Sequence, residues 1–266
     1  MLFKRQFQIN FNKLYIPFYS HYFVMERDKL ITISFIILLV GIILDGILFI
    51  FFSLSLVSLI LISLHRRDIF RLFFGAMLIG FSFEELGIHT GIPFGHYAYN
   101  FPPYILGVPI FVILAWGIIS YISYLPLMDF PLKYKVIFFP LMMVIIDMSV
   151  DPIMVTAHYW SWHSSGLEWY GIPVTNFLGW YIVSLVISLS FLKSSQYTTK
   201  EFRFIITYFL FSLKFLVFAK PQLFVPLLEA TTLAGVISLV LYVIEKRISE
   251  NLQKGVRGRE ASPGCG

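Results

Sequence analysis

FEELGIHTGIPFGHYAYN, residues 83–100, closes one apolar segment of the chain, and DMSVDP, residues 147–152, lies near the end of another. Each stretch places carboxylates at the end of an otherwise apolar segment: Glu84 and Glu85 in the first, Asp147 and Asp151 in the second. A charge in the hydrocarbon of a membrane costs about 2.5–3.5 kcal/mol or more. Carboxylates in such positions therefore indicate a function.

The composition indicates a membrane protein. The chain has 266 residues, of which 58% are hydrophobic and 13% charged, and its mean hydropathy is +0.80. A soluble domain carries roughly 25% charged residues, so this chain cannot cover itself with polar surface. The net charge of +5 comes from basic residues that lie between apolar segments, a pattern that indicates membrane orientation and argues against a nucleic-acid partner. A single cysteine, Cys265, excludes a disulfide framework.

The apolar segments predict an all-α, polytopic transmembrane bundle of eight spans. Residues 30–64 are too long for one crossing of about 30 Å, so a turn at Asp45-Gly46 is expected to split them into two spans. The other six spans are predicted at 70–86, 104–125, 136–157, 176–192, 202–219 and 222–244. Residues 1–29 are interpreted as a cytosolic or interfacial arm, 30–245 as the bundle, and 246–266 as a disordered tail.

The loop charges predict the orientation of this multi-pass protein in the cell membrane. Lysine and arginine cluster in every second loop, which places both termini in the cytosol and the loops 87–103 and 158–175 outside. A faint repeat accompanies this pattern. Gly107-Val108-Pro109 precedes Trp116 by the same spacing with which Gly171-Ile172-Pro173 precedes Trp180. Unless this is chance, spans 3–4 and 5–6 are related helix pairs whose acidic ends converge.

The carboxylates suggest acid chemistry. Asp147 and Asp151 are four residues apart and share a helix face, and Pro152 would loosen the helix beside them. Two carboxylates so close in a poorly solvated place should not both ionise, so one is expected to keep its proton. Glu84 and Glu85 could add another carboxylate to the same cavity. The alternative is that each is a capped or salt-bridged carboxylate at a helix end.

Aromatic and histidine residues accompany the acidic segments. Four of the five tryptophans lie between 160 and 180, either as an interfacial belt or as an aromatic wall that stabilises a cation. The histidines are singly placed, so no metal site is expected. Neither a phosphate loop nor a dinucleotide fingerprint is present, and no cofactor is expected. Lys214 and Glu229 are interpreted as a structural pair within the spans.

Taken in order, the blocks between residues 70 and 192 resemble the signature of the integral-membrane carotenoid biosynthesis proteins. That family includes the carotenoid 1,2-hydratases and bisanhydrobacterioruberin hydratase. The matching blocks are Glu84-Glu85-x3-His89-Thr90-Gly91-x-Pro93-Phe94-Gly95-x-Tyr97-x-Tyr99, Gly107-Val108-Pro109 with Trp116, Asp147 to Asp151-Pro152-x-Met154, Trp160-x-Trp162, and Gly171-Ile172-Pro173-x2-Asn176-Phe177-x-Gly179-Trp180.

The resemblance implies a hydro-lyase that adds water across the terminal C1=C2 bond of an acyclic carotenoid and produces a tertiary alcohol. It also implies a carotenoid substrate within a lipid bilayer, with other enzymes of carotenoid synthesis as candidate partners. Such a reaction needs a proton donor in an apolar pocket, walls that tolerate a carbocation, and a limited water supply. We expect Asp147 or Asp151 to be the general acid, with Glu84 or Glu85 assisting. The residues expected to contact substrate or water are His89, Tyr97, Tyr99, Trp116, Trp160, Trp162, Trp169, Asn176 and Trp180.

Three alternatives remain open from the sequence. A carotenoid cyclase shares the protonation step but traps the cation with an internal alkene, and a dry cavity would favour it. A proton-coupled transporter of a small or lipidic substrate would use the carboxylates as a relay and needs a polar route to both faces. A structural partner in a carotenoid-synthesis complex would lack an enclosed pocket near Asp147.

Overall fold

The computed structural model describes residues 16–44, 49–64, 66–163, 166–194 and 202–260. The described residues are mostly helical, and their eight α-helices are α1 Ile16–Leu44, α2 Phe49–Ser63, α3 Arg67–Thr90, α4 Ile110–Tyr124, α5 Leu132–Thr156, α6 Val174–Phe191, α7 Phe202–Val217 and α8 Phe224–Glu260. Six short strands lie in the loops: β1 Tyr97–Tyr99, β2 Tyr104–Ile105, β3 Val108–Pro109, β4 Trp160–Trp162, β5 Glu168–Trp169 and β6 Ile172–Pro173.

The helical prediction is confirmed in outline, and the ends of several helices differ from it. The fourth helix begins at Ile110 rather than at 104, because β2 and β3 form a hairpin just before it. Residues 246–260 are helical as the continuation of α8, where the sequence predicted disorder. The helix α1 begins at Ile16, within the predicted arm. The predicted turn at Asp45-Gly46 and the segment with Cys265 lie outside the described residues.

Membrane-crossing capacity is clear for part of the bundle. In the described part of the chain, four helical stretches are long and apolar enough to cross a membrane: Ile110–Leu127, Leu132–Thr156, Val174–Phe191 and Pro221–Asn251. A fifth apolar stretch, Ile50–Ser63, is shorter. The number of eight spans and the direction in which the chain crosses remain predictions.

Successive helices pack against each other in pairs. The helices α1 and α2, α3 and α4, α5 and α6, and α7 and α8 form close pairs, and α3 also packs on α6, α4 on α5 and α5 on α8. Small residues permit the close approach of α3 to its neighbours. A Cβ at Gly80 would overlap the ring of Trp116, and one at Gly75 would overlap the ring of Phe191. The buried tryptophan ring therefore occupies the space that glycine leaves free.

The two central helix pairs have matching entrances. The β2–β3 hairpin turns at Leu106 and Gly107, with φ of 48° and 89°, and the β5–β6 hairpin turns at Tyr170 and Gly171, with φ of 49° and 79°. The residue before α4 has φ −60° and ψ 137°, and the residue before α6 has φ −60° and ψ 136°. Equal spacing in the sequence thus corresponds to equal local geometry, as related helix pairs require.

A polar cluster lies where α3 begins, at the end of the helix opposite to Glu84. The Arg66 guanidinium donates to Asp68 at 2.9 Å and to Asp129 at 3.0 Å. Tyr124 donates to Asp68 at 2.9 Å, and the buried Lys135 ammonium lies 3.3 Å from the Tyr124 hydroxyl. These contacts join the start of α3 to the α4–α5 connection.

Candidate active site

A narrow cavity lies where α3 to α6 meet the strands β1 and β4. Its volume is about 50 Å³, enough for a few water molecules. One wall, on α2 and α4, is apolar, and the other is built from carboxylates, an amide and aromatic rings. The lining residues are Phe52, Glu84, Phe94, Tyr97, Tyr99, Phe111, Val112, Ala115, Trp116, Ile119, Asp147, Val150, Asp151, Trp160, Trp162, Asn176 and Trp180.

The end of α3 brings Glu84 under the first strand. Gly91 ends the helix in the left-handed conformation, with φ 77°, and its N–H donates to the carbonyl of Gly87. The chain then turns back, and β1 lies over the last turns of α3. On β1, Tyr97 and Tyr99 are two residues apart and so point to the same side of the strand.

Glu84 is a buried carboxylate that accepts three hydrogen bonds. Tyr97 and Tyr99 donate to its Oε2 atom at 2.6 and 2.8 Å, and Trp116 donates through Nε1 to its Oε1 atom at 2.9 Å. Burial, and next the negative charge of Glu84, raise the pKa of Tyr97 and of Tyr99 well above the usual value for a phenol. Both phenols therefore stay protonated and remain donors over the whole physiological pH range.

Asp147 and Asp151 share one amide. The Nδ2 atom of Asn176 donates to Oδ2 of Asp147 at 2.7 Å and to Oδ2 of Asp151 at 3.0 Å. An amide NH2 group has two hydrogens, so each serves one carboxylate. Asp151 also accepts at Oδ1 from the indole N–H of Trp160 and, at 3.4 Å, from that of Trp162.

The three buried carboxylates therefore differ in their donors. Glu84 and Asp151 each accept three hydrogen bonds, whereas in the described part of the chain Asp147 accepts one, from Asn176. Hydrogen bonds from neutral donors favour the ionised form of a carboxyl group. Asp147 receives the least such support and borders the cavity.

Aromatic rings enclose the carboxylates. Trp116 and Trp180 stack with ring centroids 4.0 Å apart and an interplanar angle of 15°. The β1–β4 pair places Tyr97 opposite Trp162 and Tyr99 opposite Trp160, with ring centroids 5.0 and 5.8 Å apart. Such π-faces attract a cation by about 0.5–2 kcal/mol each.

Three of the predicted site residues, Glu85, His89 and Trp169, do not line the cavity. Glu85 is partly exposed and faces His89, whose Nε2 lies 3.0 Å from its Oε1. Trp169 donates to Glu229 at 2.8 Å, and Tyr170 donates to the same carboxylate at 3.0 Å. These contacts hold the β5–β6 hairpin on α8. They also replace the expected Lys214–Glu229 pair, since the ammonium of Lys214 lies 4.9 Å from the ring centre of Phe51.

Sequence reasoning missed the apolar wall. Phe52, Phe111, Ala115 and Ile119 belong to helices α2 and α4 and look like any other residues of an apolar span. Only the packing of α2 beside α4 distinguishes them, and no local motif could have done so. Within the described ranges no group of three or more His, Cys, Asp or Glu residues is arranged to hold a metal ion.

Comparison with protein families settles the class of the protein. Residues 45–243 match the family model described as "Carotenoid biosynthesis protein". The chain is a member of the carotenoid biosynthesis protein family. The match includes α2 to α7 and the first half of α8, and therefore every residue that lines the cavity. Neither a search of curated proteins nor a search of solved structures found a match.

Family membership makes a carotenoid the substrate class of this protein. A long apolar polyene agrees with the apolar helices and with the apolar wall on α2 and α4. The match over residues 45–243 confirms the resemblance to the family that the sequence motifs indicated.

Proposed function

We propose that this protein is a cofactor-independent hydratase that adds water to the terminal C1=C2 bond of an acyclic carotenoid. The observation that carries the proposal is the donor asymmetry among three carboxylates around one narrow aromatic cavity. Two carboxylates have full sets of donors, and the third has one. That arrangement suits two resident anions and one proton donor.

The proposed acid is Asp147. Two neighbouring anions, Glu84 and Asp151, oppose a third negative charge nearby, so the proton belongs on the carboxyl group with the fewest donors. This choice narrows the expectation from the sequence, which left Asp147 and Asp151 equivalent. Asn176 donates to both aspartates and holds the acid at a fixed distance from its anionic neighbour.

The proposed reaction has two steps. The carboxyl proton of Asp147 goes to C2 of the alkene, the π electrons form the new C–H bond, and a tertiary carbocation remains at C1. A water oxygen then forms the C–O bond at C1 and loses a proton to the Asp147 carboxylate, which restores the starting state. The anions and the rings of Trp116 and Trp180 stabilise the cation between the steps.

The substrate is proposed to enter along the apolar wall. Phe52 and Phe111 stack with centroids 5.0 Å apart, and Ala115 and Ile119 continue this wall along α4. The polyene would lie against these residues and leave its end group at the carboxylates. The site would then lie at the outward helix ends of a bundle with both termini in the cytosol.

The test is expression in cells that make lycopene or longer acyclic carotenoids, followed by mass spectrometry of the pigments. Hydration adds the mass of one water for each modified end. An unchanged mass with an altered absorption spectrum would identify a cyclase instead, the alternative that a dry cavity would favour. Pigments that stay unmodified at verified protein levels would refute both reactions.

A further inference from the structure

A second concave surface lies at the start of α3, about 20 Å along the helix from Glu84 at 1.5 Å per residue. It is a groove of about 390 Å³ between the end of α2 and the first turns of α3. Ile60 and Ser63 of α2 and Leu64, which follows it, form one side, and Arg67, Phe70 and Arg71 of α3 form the other. We name it the arginine groove. It shares no residue with the cavity around Glu84.

The arginine groove has uncompensated positive charge. Arg66, just outside it, is neutralised by Asp68 and Asp129. Arg67 and Arg71 are both exposed, and neither has an acidic or hydrogen-bonding partner among the residues that the structure describes. They are four residues apart on one helix face, where like charges repel. They also lie at the N-terminal end of α3, where the helix dipole disfavours cations.

The same groove is apolar along its length. Ile60, Leu64 and Phe70 are 56%, 66% and 45% exposed, and together they form a continuous apolar surface beside the two guanidinium groups. The hydroxyl of Ser63, which also lines the groove, is buried and has no hydrogen-bond partner in the described part of the structure. The groove thus joins two cations and an apolar surface.

We propose that the arginine groove binds an anionic phospholipid. The phosphate would accept hydrogen bonds from Arg67 and Arg71, since guanidinium groups match phosphate oxygens in geometry. An acyl chain would cover Ile60, Leu64 and Phe70. A free phosphate would satisfy the charge but leave the apolar surface uncovered, so the occupant is a lipid. Basic residues at the cytosolic membrane surface attract anionic headgroups in this way.

The experiment compares nanodiscs that differ only in headgroup. Purified protein is placed in phosphatidylcholine and in mixtures with phosphatidylglycerol of the same acyl chains, and its thermal unfolding midpoint and lipid retention in native mass spectrometry are measured. The wild-type chain should unfold at a higher temperature as phosphatidylglycerol increases. The double variant Arg67→Gln/Arg71→Gln should retain about tenfold to thirtyfold less phosphatidylglycerol.

Matched controls separate the groove from general charge. Lys133 and Lys193 are exposed and lie outside the groove, so Lys133→Gln/Lys193→Gln removes the same charge and should leave retention within about twofold. Leu64→Asn keeps both arginines and should weaken retention severalfold, since it removes apolar surface. If the double variant does not fold, two other measurements test the proposal: lipid retention by the single variant Arg71→Gln, and the unfolding temperature of the wild-type chain as phosphatidylglycerol increases.

Two results would overturn the proposal. A wild-type chain with no preference for phosphatidylglycerol over phosphatidylcholine would show that the arginine groove does not select anionic lipid. The same rise in unfolding temperature caused by inorganic phosphate in pure phosphatidylcholine would show that the groove binds phosphate alone. Neither result depends on carotenoid turnover, so the hydratase proposal is tested separately.

Discussion

The two central helix pairs, α3–α4 and α5–α6, each bind a buried carboxylate, and they do so with different residues. In α3–α4, Glu84 is held by two tyrosines of β1 and by Trp116 of α4. In α5–α6, Asp151 is held by two tryptophans of β4 and by Asn176 of α6. Each half therefore satisfies one buried carboxylate with two strand residues and one helix residue. Since β1 and β4 pair antiparallel, the two sets of donors lie side by side.

The difference between the halves lies four residues before each carboxylate. The first half has Gly80 there, and the ring of Trp116 fills the space. The second half has Asp147, which contacts Asn176. A symmetric site would hold two equivalent anions and no evident acid. The extra carboxyl group of the second half makes the cavity asymmetric, and we expect that asymmetry to provide the proton for catalysis.

The strongest test of this comparison removes the extra carboxyl group. Asp147→Asn keeps the size of the side chain and removes the proposed proton donor, so turnover should fall about 10²–10⁴-fold. The readout is hydrated carotenoid per amount of folded protein in the expression assay. Glu168→Gln, in β5 and outside the cavity, is the matched loss of a carboxylate and should retain activity. Full turnover by the Asp147→Asn variant would exclude Asp147 as the acid.

A second test compares two adjacent carboxylates. Glu84→Gln would replace one of the two acceptor oxygens by an NH2 group, which would face either the Trp116 donor or the Tyr97 and Tyr99 donors, and each buried donor left unpaired costs about 1–3 kcal/mol. Glu85→Gln changes a partly exposed side chain and should alter unfolding free energy by less than about 0.5 kcal/mol. Denaturant titration in detergent micelles measures both. Equal losses would mean that Glu84 is not held as described.

The glycine that distinguishes the first half gives the third test. Gly80→Ala forces a Cβ into the ring of Trp116, and such overpacking typically costs about 1–3 kcal/mol. Since Trp116 also donates to Glu84 and stacks on Trp180, near-ultraviolet circular dichroism should change as well. A Cβ at Gly166 would meet no atom within 4 Å among the residues that the structure describes, so Gly166→Ala should be nearly neutral. Unchanged stability of the Gly80→Ala variant would contradict the close packing of α3 on α4.

The smallest expected effect is on the pH dependence of stability, and it follows from a comparison of the carboxylates at the two ends of α3. Glu84 has neutral donors, whereas Asp68, ahead of the predicted span 70–86, is paired with Arg66. Burial would raise the pKa of Asp68, but the hydrogen bond and charge of Arg66 lower it below its usual value. A lowered pKa stabilises the fold above the unfolded value of about 3.9. This contribution is lost as pH falls through the folded pKa.

The corresponding variant is Asp68→Asn. The stability difference between the wild-type chain and the variant should be constant from about pH 5 to 8 and should shrink below about pH 4. Thermal unfolding in detergent across that range gives the measurement. A difference that grows as the pH falls would have the wrong sign and would contradict the ion pair.

Periodicity and composition predicted most helices, because an apolar run of suitable length has few other stable structures in a membrane. Matched spacing of Gly107 and Gly171 also predicted that the acidic ends would meet. The partners could not be predicted. Adjacent residues such as Glu84 and Glu85 point about 100° apart on a helix, and only the packing of α4 shows which one is buried. The early hairpin before α4 was missed for a similar reason, since Tyr104-Ile105 is apolar enough to continue a helix.

The three-residue ladder of β1 and β4 limits how the loops that contain these strands can vary. Because side chains alternate along a strand, a shift of β4 by one residue along β1 would turn Trp160 and Trp162 away from the cavity, and a shift of β1 would do the same to Tyr97 and Tyr99. An insertion inside either strand should therefore destroy the site. The connection before Tyr97 is constrained as well, because Phe94 lines the cavity and the carbonyl of His96 accepts a hydrogen bond from the N–H of His163 at 2.8 Å.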